Sequence, residues 1–420
     1  MAKPISILML AEFFYPYDRG GSEWSTFFLS QSLIKKNHKV RILTPNYGTK
    51  SAEVWQKIPI KRFTIGKKLQ FATESVSPFW HTNLYWFIKS LWAVYRQVAL
   101  FHPDIIHVQG KYFLPAAIIV SKITGIPTVY TARDYMVICN LGFCLWKTSH
   151  RCHLPQYLSS DIPLYYKQYV GRVSLAKKVF LFIAQIRARF ITRILYFWAQ
   201  LADEIICVSH SQRGIFSANG FKKVLVIYNS VKFPRQRKTS KKSLCIYVGR
   251  LTPGKGVHLV LPSFVSAFPK GPMKLCIIGE GFLKDTLEQQ VSHFSLKKRV
   301  KIISHLPHDQ VMNLYSQAKM AIFPSLWPEP FGRGAMEAIS MGTPTITSNK
   351  GGLPEIVNHK YGISVTPTVP KLASALRTIY QHSQKITTSI TKDKEHLRFK
   401  FYSQPTQQYL QLYQKVLHEK

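Results

Sequence analysis

The sequence predicts an α/β protein made of two Rossmann-like, parallel-sheet halves that face a cleft. Three observations carry this. Short apolar runs of strand length alternate with helical stretches along the chain. The alternation pauses in a stretch rich in Lys, Arg, Ser and Pro, 231–242, and then restarts. Glycines and charged residues recur at the carboxyl ends of several of these strands, where open α/β sheets bind ligands. A length of 420 residues fits two or three domains.

In the first half, Ile5–Leu10 reads as a buried strand. Trp24, Phe27, Phe28 and Ile34 then fall on one helical face. Val40–Thr44, Ile105–Val108, Thr128–Tyr130, Glu204–Val208 and Val224–Ile227 continue the strand series. After the linker come Leu244–Val248, Lys274–Ile278, Lys301–Ile303, Ala321–Phe323 and Thr343–Thr347. Helical stretches at Val257–Ala267, Leu283–His293, Asp309–Gln317 and Arg333–Met341 separate them. The expected domains are residues 1–232 and 243–390. A final helix, Gln404–His418, lies in a 391–420 segment expected to pack back on the first domain.

Hydrophobic residues make up 46% of the chain and charged residues 18%, which excludes wholesale disorder. The 57 Lys and Arg against 20 Asp and Glu give a formal charge of +37, shared by both halves. Such a field draws phosphates or an anionic membrane surface. Nucleic acid is not the expected partner, since neither zinc-finger spacing nor an aromatic RNA-binding signature is present. The N-terminal apolar run stops at Glu12 and does not read as a secretory signal. Val179–Ala199 comes nearest to a membrane span, but Arg187, Arg189 and Arg193 interrupt it. Cys207, Cys245 and Cys276 sit within strands and read as buried thiols of a reducing compartment. The expected location is cytoplasmic, peripheral on the inner face of the cell membrane.

The densest motif is Glu329-Pro-Phe331-Gly332-Arg-Gly334-Ala-Met-Glu337, between a strand and a helix. Gly332 and Gly334 allow the backbone to approach a ligand closely. The start of a helix offers unpaired N–H groups and partial positive charge, which suit a diphosphate. Glu337, expected on the first turn, can accept both hydroxyls of a ribose, and Glu329 a sugar hydroxyl. A second loop, Val248-Gly-Arg250-Leu-Thr-Pro-Gly-Lys255-Gly, brings two cations to a strand end. It is not a Walker loop, because Gly256 follows the lysine. Gly279-Glu280-Gly281 ends another strand.

This combination, with Gly351-Gly352-Leu-Pro-Glu355 further on, resembles the family-four glycosyltransferases of the GT-B fold, over nearly the whole chain. The resemblance implies a nucleotide-diphosphate-sugar donor and a glycan or lipid-linked acceptor. It implies retention of anomeric configuration and no cofactor or metal requirement. Arg250 and Lys255 would hold the diphosphate, Glu329 the transferred sugar and Glu337 the ribose. The Phe331 and Gly332 amides would hold the sugar–phosphate region, with Gly279 and Glu280 at the donor's edge. Gly20-Gly21-Ser-Glu resembles the family's N-terminal glycine loop, which faces the donor. Its ordinary reading is a helix cap by Ser22.

The chain departs from the family at Arg133, where members often carry a functional histidine. Arginine is no general base, but it can stabilise phosphate charge. Asp134 and His107 are acceptor-side candidates, although a strand-end histidine is more often structural. Asn229-Ser230 stands where the family often has Asn-Gly. Cys139, Cys144, Cys152 and His153 share one loop at spacings that fit common zinc patterns poorly, so no metal site is expected. Two aromatic, basic stretches, Phe79–Phe101 and Leu164–Ala199, have the composition of segments that lie on an anionic membrane. Rival readings are a nucleotide-sugar epimerase on the same fold and a non-catalytic basic protein.

Overall fold

The computed structural model describes residues 3–17, 20–69, 76, 78–170, 173–234 and 240–419. Of the expected linker, 235–239 lie outside the described residues. Fourteen strands form two sheets among the described residues. The first contains β1 (Ser6–Leu10), β2 (Lys39–Asn46), β3 (Ala52–Trp55), β4 (Ile58–Thr64), β5 (Ile105–Val108), β6 (Thr128–Thr131), β7 (Glu204–Cys207) and β8 (Val224–Val226). Its order is β3-β4-β2-β1-β5-β6-β7-β8, parallel except for the β3–β4 hairpin.

The second sheet contains β9 (Lys242–Val248), β10 (Lys274–Ile278), β11 (Val300–Ile303), β12 (Ala318–Phe323), β13 (Thr345–Ser348) and β14 (Gly362–Val365). Its order is β11-β10-β9-β12-β13-β14, all parallel. Each order reverses direction around a first strand, β1 or β9, as in doubly wound sheets. Strands β1, β5, β6, β7 and β13 are almost wholly buried. Helices cover both faces of such sheets and so bury the strands from both sides.

Several elements were not in the sequence reading. The β3–β4 hairpin is polar on its exposed side and was not expected. Neither was β14, which is short and begins with glycine. The long helix Val369–Lys392 was also missed, because Pro370 and many polar residues obscure its start. It packs on the second sheet through Leu372, Leu376 and Ile379.

The C-terminal helix Gln404–His418 crosses to the first domain. Tyr413 bonds His107 at 2.6 Å, and Lys415 pairs with Glu204 at 2.6 Å. Among the described residues no helix is long and apolar enough to cross a membrane.

Candidate active site

Because each sheet is parallel apart from the β3–β4 hairpin, the loops at the carboxyl ends of its parallel strands gather on one side. Arg333 joins the two sets of loops. Its guanidinium donates to Ser25 Oγ at 2.9 Å and to the Ser230 carbonyl at 3.1 Å, both outside the second sheet, and to Glu337 at 2.8 Å within it. Gly21 lies against Arg333, and a β-carbon there would stand 3.0 Å from its Cδ. The Gly20-Gly21 turn therefore faces the Glu329–Glu337 segment across the cleft. Gly20 caps the helix Gly21–Lys35 through backbone alone. The Ser22 hydroxyl turns to Glu23 instead, at 2.8 Å, so the expected Ser22 cap is not formed.

Two buried carboxylates flank the start of the helix Arg333–Ser340. Glu329 Oε1 accepts from Lys255 Nζ at 2.6 Å and from Ser325 Oγ at 2.5 Å. Burial alone would raise its pKa, but Lys255, Ser325 and Arg250 together hold it below the usual carboxylate value. Glu337 Oε1 meets His308 Nε2 at 2.9 Å as well as Arg333 Nε. Burial again opposes ionisation, and Arg333 and His308 outweigh it. In each carboxylate both bonds fall on Oε1. Neither Oε2 accepts a hydrogen bond from a described side chain or amide.

Glu337 is the fifth residue of its helix, on the second turn and not the first as expected. The helix begins at Arg333 because Gly332, at φ 93°, turns the chain into it. A β-carbon at Gly332 would collide with the Leu353 side chain. Gly334 sits under Phe323, and the Phe331 ring is buried beside Tyr228 and Phe401. The Gly352 amide donates to the Glu329 carbonyl at 2.7 Å and so fixes the loop.

On the other side of β9, Arg250 is exposed, and Lys255 reaches Glu329. Gly279, at φ 147°, passes so close to the Gly249 carbonyl that a β-carbon would collide with it. Glu280 is exposed, and its carbonyl accepts from the Leu251 amide at 2.8 Å. The Arg250 and Gly279 loops are thus one tied unit.

In the first domain a cleft is lined by Glu12, Glu23, Gln109, Lys111, Arg133 and Asp134, among others. Arg133 donates to Gln109 Oε1 and to Asn229 Oδ1. Asn229-Ser230 thus holds Arg133 by a side chain and Arg333 by a carbonyl. Asp134 pairs with Lys111 at 2.7 Å and accepts from the Met136 amide at 2.9 Å. Burial would lower the Lys111 pKa, but Asp134 and Glu12 raise it well above its ordinary value.

His107 does not reach this cleft. It is 0% exposed and enclosed by Tyr413, Thr131 and Gln109. Burial first, and then Arg133, lower its pKa well below the ordinary value. It is a neutral packing group under the C-terminal helix, which corrects its reading as an acceptor-side candidate.

Sequence reasoning assigned no role to Arg333, His308, Ser325 or Gln109. Only Arg333 left a local signal, its i,i+4 spacing to Glu337. His308 also stacks on Trp24 at 4.2 Å, a contact across the cleft.

Residues 230–395 match the model of Glycosyl transferases group 1, and residues 19–233 match that of Glycosyltransferase Family 4. The second match covers half of the chain, and the chain belongs to Glycosyltransferase Family 4. The two facing sheets give it the GT-B fold. Over 170 residues it is 35% identical to a glycogen synthase of Mycobacterium tuberculosis, covering 38% of this chain and 40% of that one. The chain thus spans about two fifths of that relative's length. It is 24% identical to the phosphatidylinositol N-acetylglucosaminyltransferase gpi3 subunit of Schizosaccharomyces pombe, over 88% of this chain and 72% of that one. Among solved structures, HepE of Anabaena in complex with UDP and glucose superposes with a TM-score of 0.68 at 18% identity, over 97% and 99% of the two chains. Sucrose-phosphate synthase of Thermosynechococcus elongatus gives 0.72 at 17%, over 99% and 100%.

Proposed function

We propose that this chain transfers a sugar from a nucleotide-diphosphate donor to a glycan or lipid-linked acceptor, with retention of anomeric configuration and without a metal in the transfer step. The observation that carries the reading is the pair of ionised, buried carboxylates on either side of a helix start, each with one oxygen held and the other open. In this reading Glu337 Oε2 takes the ribose hydroxyls. Glu329 Oε2 takes a hydroxyl of the transferred sugar. The Phe331, Gly332 and Gly334 amides at the helix start, with Arg250 and Lys255, face the diphosphate. They stabilise its charge as the glycosidic bond breaks.

The glycine turn at Gly20-Gly21 and the helix carrying Trp24 close the donor from the opposite side and exclude water. Arg133 sits where charge on the leaving diphosphate is balanced, and Asp134 with Lys111 orients the acceptor. No side chain is assigned as nucleophile. The acceptor hydroxyl attacks on the face that the diphosphate leaves, and a diphosphate oxygen takes its proton.

A lipid-linked acceptor on an anionic, cytoplasmic membrane surface is supported by the +37 charge and by one helix. Along Leu175–Gln200 the residues Leu175, Val179, Ile183, Ile186, Phe190, Ile194 and Phe197 form a single stripe, all exposed. Lys177, Lys178, Arg187 and Arg193 are exposed on the same helix. Such a face is suited to lie in the headgroup region. The Schizosaccharomyces pombe relative, by its name part of a phosphatidylinositol N-acetylglucosaminyltransferase, agrees with this reading.

The test is a product assay with labelled UDP- and GDP-sugars, with and without a membrane extract as acceptor. Sugar transferred to lipid or glycan, with the α-anomer made from an α-donor, is the expected result. Conversion of the donor sugar without any acceptor would replace this reading with an epimerase.

A further inference from the structure

Between β6 and the helix Leu175–Gln200 the chain makes a long excursion of loops and short helical turns. Within it three thiols, Cys139, Cys144 and Cys152, converge with the carboxylate of Asp161. One ligand atom from each residue lies within 4.8 Å of every other, and all four residues are buried. His153, which shares the loop in sequence, is exposed and stands outside the group. In a tetrahedral site with zinc–sulfur bonds of about 2.3 Å, the sulfurs stand roughly 3.8 Å apart. Small side-chain shifts therefore close this group around one ion.

We propose that Cys139, Cys144, Cys152 and Asp161 hold one zinc ion as a structural site. Three soft thiolates and one carboxylate make a four-donor set that suits zinc and not magnesium or calcium. The surrounding donors also match. The Gly142 amide points at Cys139 Sγ at 3.3 Å, and Arg189 Nη1 at Cys152 Sγ at 3.5 Å. N–H groups aimed at sulfur are what metal-bound thiolates require to offset their charge. Asp161 itself meets the Cys152 thiol at 3.3 Å, a weak donor for a buried carboxylate. Binding releases the three thiol protons to solvent and involves no change of oxidation state.

The ion would fix a wall of the donor cleft. Between the first two ligands, Gly142 packs against Trp327, two residues before Glu329. Just after the second ligand, Trp146 packs against Gly254, next to Lys255. The Leu326 and Trp327 amides both donate to the Gly254 carbonyl, at 3.0 and 3.2 Å. The cysteine loop thus braces the two loops that carry Lys255 and Glu329.

The experiment measures metal by mass spectrometry on the full chain, purified reduced and untagged. About one zinc per chain is expected, falling to near zero in Cys144→Ser and Asp161→Ala. Cys276→Ser, on β10, is the control and keeps its zinc. Because the site variants can fail to fold, a second measurement uses wild type. Zinc is removed by chelator and cobalt is added, and a sulfur-to-cobalt charge-transfer band is expected in the near ultraviolet. Wild-type protein that carries no zinc and shows no such band overturns the proposal. So does a disulfide among these cysteines, or zinc retained by both site variants. None of these readouts depends on sugar transfer, so the proposal stands or falls apart from the assigned reaction.

Discussion

At the scale of single residues, the site is an exercise in keeping two acids charged while buried. A lone carboxylate taken out of water would protonate instead. Lys255 and Ser325 prevent that at Glu329, and Arg333 and His308 at Glu337, each through Oε1. Glu329→Ala is expected to reduce transfer by about 10²-fold, the scale on which removal of one positioned group acts. Steady-state rates on the labelled donor check this, and an unchanged kcat/KM would remove Glu329 from the mechanism. Arg333→Ala cuts the links to Glu337, Ser25 and Ser230 together. It should cost about 3 kcal/mol, the loss that follows when one partner leaves a buried pair. Urea unfolding measures it, and a loss below about 0.5 kcal/mol, the level of an ordinary surface change, would mean that the arginine bridges nothing in solution.

At the scale of elements, the parallel strands were legible because burial on both faces leaves an uninterrupted apolar run, as in Ile7–Leu10 and Leu275–Ile278. The β3–β4 hairpin and β14 were not, since edge strands keep polar residues and give a broken pattern. The Glu329–Glu337 loop was legible for a different reason: its glycines, acids and helix start are neighbours in sequence. Of its partners, His308 comes from the connection after β11 and Ser325 from just past the end of β12 itself, and no local pattern marks either. Gly332→Ala tests the turn that starts the helix. Left-handed backbone and the clash with Leu353 should cost about 1–3 kcal/mol, read as a lower urea midpoint. For the helix Leu175–Gln200 the expectation is the reverse. Ile183 and Phe190 are 61% and 66% exposed, so replacing both by Glu should leave stability within about 0.5 kcal/mol. The same variant should lose binding to phosphatidylglycerol vesicles in a flotation assay. Binding equal to wild type would assign the exposed stripe to some other contact.

At the scale of the whole molecule, polar links between the two halves, Arg333 foremost, also carry the site's charge. Glu355, from the second domain, caps the helix His210–Ala218 by accepting from the His210 and Ser211 amides at 2.9 and 2.8 Å. Both site carboxylates have pKa values below their ordinary 4.5 in the folded chain. Their contribution to stability is therefore complete above that value and is lost as pH falls through the lower folded values. Denaturation midpoints should drop as pH falls below about 4.5, and drop less in Glu329→Gln. The most direct test of the donor site is thermal unfolding with UDP, GDP and ADP, in wild type and Glu337→Ala. A nucleotide at 100 times its dissociation constant should add about 2.7 kcal/mol to wild type and clearly less to the variant. The nucleotide that does so names the base. Folded wild type that responds to none of the three, or a variant that responds as fully as wild type, would contradict a nucleotide held by Glu337.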